Sequence, residues 1–199
     1  VKLKQAIQHF AHTSVDGWNQ ATGEWSLDIA KGNILTFDRF ITERTFGQKK
    51  RIFQMAGETG LSATYEAIRD PAGNVYLVTA KNVDIAQDTV YNNIYLVQRA
   101  DYTGEMLSMV TGTAASGTPM GNTPTVVATF PMDFDKLTSA NSGEFDGVIY
   151  SGMIGVLPAS VPITTDHEIR VDGITYDVLE VFLTINLKGI RINKRSAAA

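Results

Sequence analysis

The sequence predicts a mainly β chain, a small antiparallel β barrel or sandwich carrying one short amino-terminal helix and long loops. Three observations point there. From Ile34 onward apolar residues recur at every second position, the spacing of a half-buried strand. Turn sequences such as Asp70-Pro71-Ala72-Gly73-Asn74 and Asp172-Gly173 punctuate those runs. Helical spacing is confined to Leu3, Ile7, Phe10 and Ala11, so one short helix is expected before Ser14, Asp16 and Gly17 end it.

Residues 1–32 read as that helix followed by a turn-rich arm holding Trp18 and Trp25. Leu35, Phe37 and, beyond Arg39, Ile41 then face one way along a strand, and Arg51 to Met55 returns across Phe46-Gly47-Gln48. Leu61 to Ile68 and Val75 to Ala80 flank Asp70-Pro71-Ala72-Gly73-Asn74, where Pro and Gly supply the fixed and permissive backbone angles of a tight turn. Asn92-Asn93 is expected to turn Thr89–Tyr91 back onto Ile94–Val97, since asparagine tolerates the left-handed conformation. Asp172-Gly173 joins Ile169–Val171 to Ile174–Val181, and Lys188-Gly189 is expected to join Leu183–Leu187 to Ile190–Ile192. The spacing V-x-I-x-x-D occurs at Val83, Ile85, Asp88 and again at Val161, Ile163, Asp166, which suggests an internal repeat.

One stretch differs in kind. Residues 111–124 hold no charge and little apolar bulk, so burial cannot offset the entropy of ordering them, and a long mobile loop is expected. Such a loop is either a plain connection or a segment that orders against a partner or in a narrow passage. Thr111, Gly112, Ser116, Gly117, Pro119, Met120, Gly121 and Asn122 are its candidate contact residues. Lys136 to Glu144 reads as an ordinary connection.

A chain of 199 residues can bury a core as one β-rich domain over 1–199 without disulfide or metal. It has no cysteine, which excludes a disulfide framework, a thiolate nucleophile and cysteine-ligated metal, and suits a reducing cytoplasm. Val1 to Thr13 lacks the continuous apolar run of a signal peptide or membrane span, so neither secretion nor membrane insertion is expected. The net charge of −4 argues against a protein that grips phosphates through a basic surface. Its distribution is uneven: residues 100–169 hold Lys136 alone against eight carboxylates, between flanks that are near neutral or basic. That pattern is either ordinary surface scatter or a face that meets partners of opposite sign.

Candidate chemistry is sparse. His9 and His12 share a helical face but lack a third ligand, and His167 sits between Asp166 and Glu168, whose side chains alternation sends the other way. G-x-S-x-G, G-x-x-x-x-G-K-[ST] and G-x-G-x-x-G are all missing from the sequence. Asp133 and Asp135 are strand alternates able to present two carboxylates to one side, with a solvated acidic edge the plainer expectation. Trp18 and Trp25 read as a barrel-end closure, with a sugar-stacking platform or subunit anchor as the alternatives. No catalytic residue, cofactor or metal is expected.

The carboxyl-terminal third has a distinctive pattern: Val156-Leu157-Pro158-Ala159-Ser160, Ile163, Asp166, then Ile169–Val171, Asp172-Gly173, Tyr176, Val178 and Val181. It resembles a strand pair near the end of head-closure (stopper) and related head-tail connector proteins of tailed bacteriophages, with Asp166, Asp172, Gly173, Tyr176 and Val178 as the matching residues. The resemblance implies a small barrel that forms a homo-oligomeric ring in the virion neck, of about six or twelve copies. Such a subunit continues the DNA channel, meets a portal or adaptor ring on one side and a tail terminator or tail tube on the other, and touches packaged DNA only transiently. It implies a structural protein and no enzyme, made in the host cytoplasm. Segment 111–124 would be the lumen or docking loop. The chain is longer than typical stoppers, with extra material before residue 60 and between 100 and 147. A tail terminator ring is one alternative and a carbohydrate-binding or other recognition module another; a hydrolase using paired carboxylates ranks third.

Overall fold

A computed structural model describes residues 13–36, 49–56, 60–86, 89–113, 119–136, 153–183 and 186–195. The expected helix and the turn at 46–48 lie outside them. Among the described residues twelve strands are formed: β1 Thr13–Asn19, β2 Glu24–Thr36, β3 Lys50–Ala56, β4 Tyr65–Arg69, β5 Val75–Ala86 and β6 Thr89–Ala100, then β7 Tyr102–Thr113, β8 Pro119–Lys136, β9 Met153–Pro158, β10 Glu168–Val171, β11 Ile174–Leu183 and β12 Leu187–Lys194. They close two antiparallel barrels, ordered β1-β2-β3-β6-β5-β4 and β7-β8-β9-β12-β11-β10. The mainly β barrel class is therefore as expected, but the chain makes two barrels where one was anticipated. Residues 13–32 are their first hairpin, not a turn-rich arm. A bulge in that hairpin, with Asp28 at φ 51°, breaks the period-two spacing that reveals a strand in sequence.

The barrels are duplicates in register as well as in order. Gly17↔Ile68 and Ile68↔Tyr76 in the first correspond to Met106↔Ile169 and Ile169↔Tyr176 in the second. Tyr76↔Arg99, Tyr95↔Phe53 and Phe53↔Ile34 correspond to Tyr176↔Lys194, Ile190↔Gly155 and Gly155↔Phe134. Val15↔Ala30 and Gly104↔Phe130 complete the match, so all six ladders correspond; beyond Val15 the β1–β2 bulge puts two extra residues into β2. Even the bulge after Val78 recurs after Val178, three residues beyond each tyrosine. A cross-strand ion pair also recurs, Arg69 to Asp16 at 2.8 Å and Arg170 to Glu105 at 2.5 Å. A repeat exists, then, but its sequence trace is Ile68-Arg69…Tyr76-x-Val78 against Ile169-Arg170…Tyr176-x-Val178. The V-x-I spacing was misleading: Val83 and Ile85 lie in β5, whereas Val161 and Ile163 lie between β9 and β10.

The turn chemistry explains two hairpins. At β4–β5 Asp70 accepts from the Gly73 and Asn74 N–H groups, both at 2.9 Å, and Gly73 takes φ 86°. At β10–β11 Asp172 and Gly173 take φ 49° and 77°, the two positive values of a type I′ turn. Two other expected turns are absent. β6 runs straight through Asn92-Asn93, which pair with Ala56 and Met55, and Asn93 is buried. β12 runs through Lys188-Gly189, which pair with Leu157 and Val156 on one side and Leu183 and Phe182 on the other. In each case a third strand supplies a ladder that outweighs local turn preference.

Gly189 is needed for a different reason: a Cβ there would lie 2.5 Å from Phe182 Cζ and closer still to Cε2. Gly189→Val is expected to lower stability by about 2 kcal/mol by displacing that ring. Thermal unfolding checks this, with a smaller loss expected in a Phe182→Ala background; an equal loss in both would refute the explanation.

The first barrel is filled by Val15, Phe53, Met55, Ile68, Tyr76, Tyr95 and Val97. The alternate residues on four neighbouring strands face outward as a row, Trp18, Ala67, Leu77 and Gln98. Trp18, Ala67 and Leu77 join the second barrel's core, with Phe130, Leu157, Val161 and Ile163 in the same cluster. The second barrel's own version of that row is Leu107, Glu168, Asp177 and Asn193. One barrel therefore offers its twin an apolar flank, and the twin does not repeat the offer.

Candidate functional site

The segment nominated for docking is not a structureless loop in its described part. β7 and β8 continue as a two-stranded ribbon, pairing Met109↔Pro124, Val110↔Thr123, Thr111↔Asn122 and Thr113↔Pro119. Thr111 and Gly112 thus lie on β7, and Pro119, Met120, Gly121 and Asn122 on β8, while Ser116 and Gly117 fall outside the described residues. The error has a cause: backbone ladders order a ribbon without burying side chains, so composition alone mistakes it for a loop.

The resemblance-bearing residues play structural parts. Asp172 and Gly173 make the turn, and Val178 is buried. Tyr176 is buried with its ring 6.0 Å from Phe134, which stacks on Tyr102 at 4.1 Å, and burial raises the Tyr176 phenol pKa. Asp166 is exposed in the turn where the His167 N–H bonds the Thr164 carbonyl. His167 Nδ1 accepts from the Thr164 N–H at 3.1 Å, a local cap. His9 and His12 lie outside the described residues.

Asp133 and Asp135 do not form a shared acidic edge. Asp135 is exposed, whereas Asp133 is fully buried and bonded by Lys49 Nζ at 2.7 and 2.9 Å. Lys49 also meets Asp101 at 3.1 Å, and Arg99 closes the chain to Asp101 at 2.8 Å. Burial pushes the Asp133 carboxyl above its ordinary range, and Lys49 only partly offsets this. Burial opposes the Lys49 ammonium too, but Asp133 and then Asp101 outweigh it and raise its pKa. This clamp ties the first barrel to the second. Its partners stand far apart in sequence, and nothing in the run Lys49-Lys50-Arg51 announces the pairing.

Four of the eight carboxylates of the acidic middle are paired within the chain. Asp101 and Asp133 take Lys49, Glu105 takes Arg170, and Glu168 takes Arg195. The tryptophans are likewise engaged: Trp18 is buried between the barrels, and the Arg69 guanidinium sits 4.7 Å over the Trp25 ring.

A cleft of about 340 Å³ opens where the barrels meet, lined by Leu61, Tyr65, Glu66, Lys81, Tyr95 and Asn186 among others. Ser160 of the second barrel bonds Glu66 through its N–H and its hydroxyl, and Asn186 Nδ2 donates to the Thr79 carbonyl at 2.8 Å. Lys81 Nζ, Tyr95 Oη and Asn93 Oδ1 converge on Gly60, each within 2.9 Å of where a Cβ would stand. The Ser160–Glu66 and Asn186–Thr79 bonds pin one barrel against the other. Among the described residues no group of three metal-ligating side chains occurs, and no helix is long and apolar enough to cross a membrane. No protein-family model matches the chain, and no curated protein matches it either.

Proposed function

We propose that this chain is a ring-forming structural subunit of a tailed-phage virion neck, of the head-closure kind. One observation carries the reading: the stretch that resembles those proteins, Val156 to Val181, supplies the end of β9 and the turn and paired strands β10 and β11 of a small closed antiparallel barrel. In this reading the subunit continues the DNA channel, meets a portal or adaptor ring above and a tail terminator or tail tube below, and contacts DNA without gripping it. Internal pairing of Asp101, Glu105, Asp133 and Glu168 lowers the negative charge of the acidic middle without removing it, which suits a wall that repels DNA weakly and lets it slide. Recognition of sugars through Trp18 and Trp25 has less support, because Trp18 is buried and Arg69 covers one face of Trp25.

Native mass determination with electron microscopy tests the proposal, on the purified protein and on a mixture with the product of the adjacent gene. A closed ring of about six or twelve copies is expected in at least one sample. A persistent monomer in both would overturn it.

A further inference from the structure

The duplicated barrel shows which parts of the chain the fold does not need. In the first barrel the β1–β2 hairpin turns immediately after Asn19↔Glu24, through residues 20–23. The equivalent pair in the second barrel is Ser108↔Thr125, yet there the strands run on as the ribbon 109–113 with 119–124. The converse holds at β5–β6. The second barrel's version ends at Leu183↔Lys188, equivalent to Val83↔Asn93, while the first continues through Asp84↔Asn92, Ile85↔Val90 and Ala86↔Thr89. Each barrel thus carries one ribbon that its twin lacks.

We propose that the β7–β8 ribbon is the arm by which one copy of this chain binds a second copy, through strand pairing along the outer edge of β7. Four observations support it. β7 meets β10 only over Glu105–Leu107, so its edge from Ser108 to Thr113 is open among the described residues. Within the ribbon β8 carries Pro119 and Pro124, which lack N–H donors, whereas β7 has no proline and keeps all of its own. No charged residue lies between Glu105 and Asp133, so the edge lacks the lysines that ordinarily guard against strand addition, and the cations that nucleic acid requires. The ribbon also continues the strand whose Ala128 and Phe130 pack at the barrel junction, and Val126 and Val127 at its root are exposed. The occupant is a second copy because the same chain holds another edge able to pair, that of β5 in the β5–β6 ribbon, which meets β4 only as far as Leu77 and runs on to Ala86 with no further strand beside it among the described residues. One such edge meeting the other is a heterologous contact, the kind that closes rings. The inference deepens the ring reading and rests on it for the geometry of closure, but not for the contact itself.

The duplication supplies the test. Residues 109–124 are replaced by Gln-Ala-Thr-Gly, the turn that closes the equivalent hairpin at 20–23, and the mass of the full and shortened chains is compared at matched concentration. The shortened chain is expected to unfold cooperatively within a few degrees of the full chain and to run as a monomer where the full chain assembles. V110P and T111P, made in the full chain, cover the case in which the shortened chain fails to fold. Successive N–H groups point to opposite edges of a strand, so one of the two substitutions blocks the outer edge and should at least tenfold weaken assembly. Assembly unchanged in the shortened chain, or in both proline variants, overturns the arm and leaves the ring reading standing. A shortened chain that still self-assembles but no longer binds the neighbouring gene product overturns the second copy as occupant. A full chain that forms only a dimer, lost on shortening, supports the arm and overturns the ring. A monomeric full chain overturns the arm.

Discussion

Gly32→Ala is expected to destabilise the protein by about 3 kcal/mol, the upper part of the range for overpacking a core. A Cβ at Gly32 would lie 2.6 Å from Phe53 Cε2 and closer still to the Gln54 carbonyl oxygen. Phe53 is fully buried and the carbonyl is backbone, so neither neighbour yields cheaply. The second barrel shows what the position requires. Met132 stands where the first barrel has Gly32, and Gly155 where it has Phe53. Both barrels thus place one large and one small residue at this pair, in opposite order, and Gly104 makes further room for the Met132 sulfur, which a Cβ there would meet at 2.5 Å. The double variant G32M/F53G should therefore be less unstable than the sum of its single variants, as denaturant unfolding can measure. Simple additivity would show that the two sites do not share one volume.

Lys49→Met should cost a similar amount, about 3 kcal/mol near neutral pH, because it leaves the Asp133 carboxylate buried without its cation. The pH dependence separates this from lost packing. Burial already holds the Asp133 pKa above 3.8, and removing the ammonium raises it further. A carboxyl raised on folding takes up its proton at higher pH in the folded state than in the unfolded one, so its protonation favours folding as pH falls through the folded pKa. The deficit of Lys49→Met should therefore shrink from neutral pH toward the ordinary carboxylate range. Lys49 itself is raised above 10.5, so its contribution to the parent protein is intact below that value and is lost as pH rises through the folded pKa. Melting temperatures of both proteins across that range decide the matter; a gap that does not change with pH would mean that Asp133 is not the group left exposed to the penalty. In K49M/D133N most of the loss should be recovered, since no buried charge then remains at that position.

Several parts of the fold were legible because they depend on neighbours in sequence. Asp70 to Asn74 and Asp172-Gly173 carry their own turn geometry, so the two hairpins around them, and β3, could be read directly. Asn92-Asn93 and Lys188-Gly189 have the same local character, but a third strand pairs across each and carries the chain straight on. The β1–β2 hairpin leaves no alternating trace because a bulge shifts its inward residues out of phase. The ribbon at 109–124 was recognised as unusual for its composition and misjudged in form.

The sequence by itself determined that this is a β protein, where its strongest turns fall, and which segment stands apart as uncharged and small. Those properties follow from backbone preferences and from the burial demand of alternating side chains, both of which act over a few residues. Only the tertiary structure decided that the strands close twice in the same register, that Trp18 faces a second barrel, and that Asp133 loses all contact with water. Each of those depends on surfaces brought together from distant parts of the chain, where the pairing of Lys49 with Asp133 and the fit of a side chain into its neighbour's missing volume leave no periodic trace in the sequence.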